Sequence, residues 1–320
     1  MIKDYLKNIK FYIGPMSKNI VDSIIDFSNN EKYPIGIIPS RRQIDYNCGY
    51  VNNWTTNEFF NYISKYNKYL ILERDHGGIG QGEIYDNGIL SYYEDSKNFD
   101  IIHVDPWKAY KDNFRKGLIE TIDNIKFINK INPNCLFEIG TEESICHFSE
   151  DQLYEMLKIL KNDLGYLFKN IVYCVIQSGT KLKGTKNIGE FNSDRLKNMI
   201  NICNDFDVLS KEHNGDYLKL DDIKHKFDLG LSAINIAPEF GVAETDIILE
   251  NINDEQKEKF FEICYKSNKW FKWVNQPEFN PYENKNELIR ICGHYQFSTK
   301  EFLDMNLNLD NIIKEKFEIC

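Results

Sequence analysis

Several features that would assign a chain to a specialised class are missing here. The sequence has no low-complexity tract and no basic run, and its net charge is −10 at pH 7. A chain of this kind is a poor partner for nucleic acid. No apolar stretch approaches the roughly 18 residues of a membrane span. An acidic chain can still bind a phosphorylated sugar through a local cluster of donors, so we expect a small-molecule partner and no membrane.

The spacing of the cysteines gives no sign of a disulfide framework. The eight cysteines include no CxxC pair, and they are scattered at positions 48, 135, 146, 174, 203, 264, 292 and 320. In a chain this long the pattern is typical of a reduced protein rather than a disulfide framework. The N-terminal segment MIKDYLKNIK carries charges throughout and lacks the apolar region of a signal peptide. We therefore expect a cytoplasmic protein.

What the sequence does have is a regular alternation of short apolar runs and longer amphipathic ones. The predicted strands are 10–13, 34–38, 69–73, 100–104, 135–139, 170–176, 206–211 and 231–236. Predicted helices follow them at 17–28, 56–66, 86–96, 109–130, 149–162, 193–204 and 217–227, with another starting near Val242. Eight strand–helix units in roughly 240 residues match a (β/α)8 barrel, which typically has about 250. The alternative is an open doubly wound sheet, but no glycine fingerprint follows the first strand.

From residue 254 onward the pattern is helical only. Helices are predicted at 254–268, 284–292 and 299–317, with an aromatic-rich turn at 270–282. No linker rich in Pro, Gly or Ser separates this part from the rest. We therefore divide the chain into a barrel domain, 1–253, and a C-terminal helical extension, 254–320, that packs on the barrel.

The stretch ILERDHGGIGQG (71–82) organises the functional interpretation. A buried strand there releases Asp75 and His76 into a glycine-rich loop, where a substrate can approach the backbone closely. Other predicted strands also end in polar residues, and in a barrel all strand ends of one kind meet at one face. They are Asp105, Glu142, Gln177, Ser178, Gly179, His213 and Asn235. Taken singly, each of these residues could equally be a cap or a loop hydrogen-bonding group.

The histidines among these residues suggest a metal. His76 and His213, with a carboxylate such as Glu142, form a ligand set suited to Zn²⁺ or Mn²⁺. No helical HExxH motif supports the assignment. His103 lies within the fourth strand, where a core histidine and a substrate contact are equally good interpretations. His147 and His225 are interpreted as surface residues.

The ordered motifs resemble the class II tagatose-1,6-bisphosphate aldolase family, specifically its larger, so-called non-catalytic subunit, and the related ketose 4-epimerases. They are SRRQIDYNCGY (40–50), RDHGG (74–78), IHVD (102–105), IGTE (139–142), VIQSG (175–179), EHNGDY (212–217) and INIAP (234–238). Each motif is short, and their order across most of the barrel carries the resemblance.

The resemblance implies a TIM barrel that performs metal-assisted aldol chemistry or C4 epimerisation on a ketose or ketose phosphate, with a metal-stabilised enediolate. It makes Asp75 the acid/base, with Asp105 second and Glu142 also near the reaction, and it makes His76 and His213 ligands. Where catalytic class II aldolases have another histidine ligand, this chain has Gln177, which would offer a neutral oxygen. Arg41 and Arg42 stand where the family tends to be neutral.

Substrate binding is expected around the same face. Backbone N–H groups of Ser178, Gly179 and the Asn235 region would bind a phosphate, because glycine-rich turns and helix N-termini favour anions. The remaining candidates for substrate contacts and added charge are Arg41, Arg42, Gln43, Lys181, Arg290 and His294.

Two further functions stay open at this point. The first is a barrel without chemistry of its own that stabilises a separate aldolase subunit, which Gln177 favours. Assembly with copies of itself is the alternative to such a partner. A sugar isomerase with carboxylate-dominated ligation would require Glu142, Glu212 and Asp105 to converge.

Overall fold

The eight predicted strands form a closed parallel barrel in the computed structural model, which describes residues 2–66, 68–275, 277–309 and 312–313. Each strand pairs with its sequence neighbours, and the last pairs with the first, Phe11 lying opposite Ile234. The (β/α)8 fold is confirmed, and the open sheet is excluded. In chain order the barrel strands are Phe11–Ile13, Ile35–Ile37, Leu70–Gly77, Ile101–Val104, Leu136–Ile139, Ile171–Ile176, Leu209–Glu212 and Ala233–Ile236.

Helices cover the outside of the barrel and place their apolar faces on the strands. Several begin with a capping box, in which an N-cap side chain and the residue three positions later satisfy each other's backbone N–H groups, as at Ser149 and Gln152. Within and just before the barrel the helices are Ile2–Leu6, Lys18–Glu31, Thr56–Ile63, Ile89–Asn98, Trp107–Tyr110, Phe114–Ile131, Glu150–Leu164, Ser193–Asp205, Leu220–Asp228 and Pro238–Asn251. A 3₁₀ turn, Gly165–Asn170, precedes the sixth strand. No helix in these described ranges is long and apolar enough to cross a membrane.

Several local predictions differ from the structure. The helix predicted over 109–130 is interrupted, because the Asn113 side chain accepts the N–H of Lys116 and starts a new helix. The seventh strand begins three residues late, since Asp207 has a positive φ and the N–H of Val208 still bonds to Cys203 of the preceding helix. A two-stranded hairpin, Leu182–Lys183 with Lys186–Asn187, was not predicted.

The C-terminal extension packs against the last barrel helix. It contains Asp254–Ser267, the 3₁₀ turn Lys269–Trp273, Lys285–Cys292, a second 3₁₀ turn Gly293–Tyr295, and Lys300–Leu303. Its buried residues belong to the same hydrophobic core as those of the barrel helices. The helix predicted over 299–317 instead ends at Leu303. Residues 314–317 of that prediction, and Cys320, lie outside the described residues. The domain boundary at residue 253 stays a prediction.

Candidate functional site

An irregularity in the third strand creates the centre of the site. Arg74 pairs with Ile102 and Gly77 with Val104, so the register shifts between them and one residue is extra. Inside this bulge His76 adopts a φ of 44°, in the left-handed region that non-glycine residues rarely occupy. Successive strand side chains normally alternate between faces. The bulge instead turns Asp75 and His76 toward the same point at the barrel mouth.

Four side chains meet at that point, and we call them the His–Asp cluster: Asp75, His76, His103 and His213. One potential ligand atom from each lies within 4.8 Å of the others. Asp75 Oδ1 is 3.7 Å from His76 Nε2, 3.9 Å from His103 Nδ1 and 3.8 Å from His213 Nδ1. The structure thus brings together the sequence-predicted pair His76 and His213, and it adds His103 to them.

The outward-facing nitrogen of each ring has a fixed partner. His76 Nδ1 lies 2.6 Å from Asp105 Oδ2, and His213 Nε2 lies 2.8 Å from Glu138 Oε1. An imidazole that donates one N–H to a carboxylate presents its other nitrogen as a lone pair, the usual arrangement behind metal-bound histidines. These two carboxylates therefore direct His76 Nε2 and His213 Nδ1 into the cluster.

The His103 ring is oriented in the same way, but its partner is a backbone carbonyl. Its Nε2 donates to the carbonyl of Gly140 at 2.9 Å, and its Nδ1 lies near the N–H of His76 at 3.3 Å. Both contacts fit the neutral tautomer with an unprotonated Nδ1. When His76 gives up its second proton to a bound cation, three imidazole lone pairs and one carboxylate face a common point.

The electrostatics of the cluster favour a bound cation. Burial disfavours the Asp75 carboxylate, yet the three histidines hold its pKa well below its usual range. Burial likewise opposes charge on His76, but Asp75, Asp105 and Glu142 raise its pKa to about 10. Asp75 Oδ1 is buried, and no described residue donates a hydrogen bond to it. Because metal binding displaces such ligand protons, this donor set fits a divalent ion.

Asp105 lies behind His76, against the ring nitrogen that points away from the cluster. It is fully buried, and besides His76 it accepts bonds from the Thr141 hydroxyl at 3.1 Å and the Trp107 N–H at 3.1 Å. Its predicted place beside the substrate is therefore not supported by the geometry. Asp105 instead fixes the tautomer and orientation of His76.

Asp105→Asn tests this role. An amide cannot accept the His76 proton as a carboxylate does, and loss of such outer partners typically weakens metal affinity by about 10–100-fold. We expect that loss in a zinc titration of the purified chain. Asp151→Asn, on an exposed stretch of the helix Glu150–Leu164, is the control. Unchanged zinc affinity in Asp105→Asn would contradict the assignment.

Glu142 and Gln177 were both predicted to complete the metal site, but they lie in different places. Glu142 is half-buried at the rim, its Oε2 is 3.9 Å from His76 Nε2, and it accepts a bond from Asn214 at 2.7 Å. Gln177 stands apart from the cluster, because its amide donates to the carbonyls of Thr141 and Cys146. Glu142 thus reaches the site, whereas Gln177 holds the loop beside it.

The predicted phosphate-binding turn is already occupied. The N–H and hydroxyl of Ser178 both donate to Glu212 Oε1, at 3.0 and 2.5 Å, and Lys226 binds the other oxygen at 2.6 Å. Gly179 has a φ of 99°, and a side chain there would collide with the Glu190 carbonyl. This internal network leaves the Ser178 N–H unavailable to an anion.

The other predicted substrate contacts divide into two groups. Arg42 and Gln43 line the cavity at the barrel mouth. The buried Asn235 has a side-chain oxygen without a partner among the described residues. The remaining four are placed elsewhere. Lys181 is exposed, Arg41 is buried against Asp45 and Asp86, Arg290 pairs with Asp246, and His294 is buried near Tyr50.

A layer of charge beneath the cluster was missed from the sequence. We call Lys211, Glu73 and Glu138 the lumen triad. Lys211 Nζ lies 2.7 Å from a carboxylate oxygen of each glutamate, and all three residues are buried. Lys211 also lies over the Tyr12 ring at 3.7 Å. The available signal was a charged residue inside each of three apolar strands.

The lumen triad is connected to the cluster through Glu138. Burial opposes its charge, but Lys211, followed by His103 and His213, holds the pKa of Glu138 well below its usual range. The Glu138 carboxylate therefore stays charged and accepts a hydrogen bond from His213 Nε2. Burial and the proximity of Glu138 raise the pKa of Glu73.

A cavity of about 520 Å³ opens above the cluster. Asp75, His76 and Glu142 lie in its wall, and Trp273 and Tyr295 of the C-terminal extension line the opposite part. Its volume is in the range of small-molecule sites. The arrangement can hold a polar molecule of sugar size against the cluster.

Comparisons with known proteins identify solved structures with a similar fold. No protein-family model and no curated protein matches the sequence. A probable tagatose 6 phosphate kinase from Sinorhizobium meliloti 1021 has a TM-score of 0.75 at 13% identity, covering 97% of this chain and 88% of that chain. A fructuronate-tagaturonate epimerase from Cohnella laeviribosi has a TM-score of 0.66 at 10% identity, covering 96% and 78%.

An aldolase is also among the similar structures. The fructose-bisphosphate aldolase from Campylobacter jejuni has a TM-score of 0.59 at 14% identity, covering 96% of this chain and 92% of that chain. At such identities the likeness establishes architecture. This chain is a (β/α)8 barrel with the fold of proteins named for tagatose, tagaturonate and fructose derivatives.

Proposed function

We propose that this chain is a divalent-metal-dependent enzyme that breaks and re-forms a carbon–carbon bond in a ketose or ketose phosphate, as an aldolase or a C4-epimerase. The observation that carries the proposal is the His–Asp cluster, in which a nitrogen of each of three imidazole rings converges beside Asp75. The Zn²⁺ or Mn²⁺ predicted from the sequence suits these ligands. When bound, such an ion would polarise the ketose carbonyl.

The chain's own residues supply the remaining chemistry. Asp75 belongs to the cluster and also lines the cavity. Its carboxylate is therefore positioned to take the proton of a substrate hydroxyl and return it. Glu142 lines the same cavity and accepts the Ser144 hydroxyl at 2.5 Å. It is the second candidate for proton transfer, in place of Asp105. An epimerase differs from an aldolase only in that the aldehyde fragment turns before the bond re-forms.

The alternatives predicted from the sequence are less well supported. A non-catalytic aldolase subunit was favoured by Gln177, but the cluster has a full donor set without that residue. An isomerase would need Glu142, Glu212 and Asp105 to converge. Glu212 is instead bound to Lys226 and Ser178, and Asp105 lies behind His76.

Metal content is the first test of the proposal. The full chain is dialysed against chelator, reloaded with Zn²⁺ or Mn²⁺, and assayed for bound metal. We expect about one ion per chain, and we expect His103→Gln to lose it because one of few ligands is removed. His147→Gln, on an exposed loop, should bind metal like the wild type. Equal binding by both variants would overturn the proposal.

Turnover is the second test. The reloaded chain is incubated with neutral ketoses, ketose phosphates and keto acids, and cleavage products and C4 epimers are measured. Activity that appears with metal and disappears with chelator is the expected result. A chain that binds metal and converts none of these, yet increases the activity of a separate aldolase, would favour the subunit function.

A further inference from the structure

Four cationic side chains line the cavity above the His–Asp cluster: Arg42, Lys108, Lys111 and Lys272. We call Arg42, Lys108 and Lys272, whose charges act on one another, the cation group. They come from distant parts of the chain. Arg42 follows the second strand, Lys108 lies in the helix Trp107–Tyr110, and Lys272 belongs to the 3₁₀ turn Lys269–Trp273 of the extension.

The members of the cation group repel one another. Loss of contact with water and then the charge of Arg42 lower the pKa of Lys108, with a smaller effect from Lys272. The same causes, with Arg42 first among the charges, lower the pKa of Lys272 to about 8 although its side chain still reaches solvent. Like charges gathered in one cavity raise the free energy of the unliganded protein.

Nearby carboxylates do not neutralise the group. The charges of Glu83 and Glu142 reach Lys272, and that of Asp105 reaches Lys108, but all three carboxylates have other partners. Glu83 forms an ion pair with Lys269, and Glu142 accepts bonds from Asn214 and Ser144. Lys108 Nζ donates to the Gly80 carbonyl at 2.8 Å, which does not neutralise its charge. In a chain with a net charge of −10, cations left this way in a cavity indicate an anionic ligand.

The anion site predicted at Ser178 does not offer comparable donors. It depended on the Ser178 N–H, which already donates to Glu212. Lys181, the charge predicted to assist it, is exposed and does not line the cavity. The cation group is therefore the better placed site for an anionic end of the substrate.

We propose that Arg42, Lys108 and Lys272 bind the anionic end of the substrate, a phosphate monoester or a carboxylate, while its ketose carbons lie at the His–Asp cluster. The inference rests on the proposed function and adds the substrate class to it. Guanidinium and ammonium groups recognise both anions through charge-assisted hydrogen bonds. The C-terminal extension thereby acquires a role, because it supplies Lys272.

The binding test uses the full metal-loaded chain and two probes, inorganic phosphate and glucuronate, titrated calorimetrically at low ionic strength. Arg42→Gln and Lys272→Gln should each weaken binding of the preferred probe by about 10–100-fold, the usual effect of a hydrogen bond to a charged group. The preferred probe distinguishes a phosphate site from a carboxylate site. Matched controls are Arg115→Gln and Lys259→Gln, both exposed and outside the cavity.

Kinetics with the substrate found in the turnover screen give the second readout. Arg42→Gln should raise KM for an anionic ketose by a similar factor, about 10–100-fold, and leave KM for its neutral counterpart unchanged. Probe binding that is absent in the wild type, or equal in Arg42→Gln and Arg115→Gln, would overturn the inference. Metal content measured on the same samples separates the two proposals. Loss of metal contradicts the proposed function alone, whereas Arg42-independent anion binding contradicts the anion site alone.

Discussion

Asp75→Asn should lower kcat by about 10²–10⁴-fold, the usual contribution of a general acid/base, while the metal stays bound. Asparagine keeps the shape of the side chain and an oxygen toward the cluster, but it cannot take up a proton at neutral pH. The three histidines remain to hold the ion. Turnover, metal content and melting temperature are measured on one preparation, because a loss of folding would also lower turnover.

Each other outcome assigns Asp75 a different role. An active, less stable Asp75→Asn variant would make this carboxylate a cap of the glycine-rich loop, and proton transfer would move to Glu142. A variant that loses its metal together with its activity would make Asp75 a ligand. Glu142→Gln is the matched comparison, since Glu142 lines the same cavity but lies outside the cluster.

Lys211→Met should destabilise the protein by about 3–5 kcal/mol, the usual cost of removing one partner from a buried ion pair. The substitution leaves Glu73 and Glu138 facing each other without a cation in the barrel interior. Urea unfolding followed by far-UV circular dichroism measures the free energy of unfolding. The matched surface control is Lys224→Met, on the exposed side of the helix Leu220–Asp228.

A double variant identifies the cause of the loss. Lys211→Met with Glu73→Gln removes one of the two stranded charges, so it should recover part of the stability. Replacement of a whole buried ionic group by neutral residues is often tolerated for this reason. A Lys211→Met protein as stable as the wild type would show that the glutamates take up protons instead.

The barrel itself could be predicted from the sequence, because each strand is a short apolar run between turn residues. Predictions failed where a local hydrogen bond ended an element against the apolar pattern. The helix break at Asn113 and the delayed seventh strand after Asp207 are both of this kind. Capping by a single side chain or one positive φ leaves little trace in periodicity.

The site was predicted in part. Asp75, His76 and His213 were identified because they follow strands, and strand ends converge in a barrel. His103 stayed ambiguous, since alternation along a strand indicates a face but not which groups lie opposite. The role given to Ser178 failed because Glu212, 34 positions away in sequence, takes up its N–H. Hydrogen bonds between residues far apart in sequence cannot be derived from local pattern.

The lumen triad has a consequence for how the chain folds. Glu73 comes from the third strand, Glu138 from the fifth and Lys211 from the seventh. The last four strands contain Glu138 and Lys211 together, whereas the first four contain Glu73 without its cation. Burial of Glu73 is therefore costly until the second half of the barrel supplies Lys211. The ion pair between Glu73 and Lys211 couples the packing of the first half to that of the second.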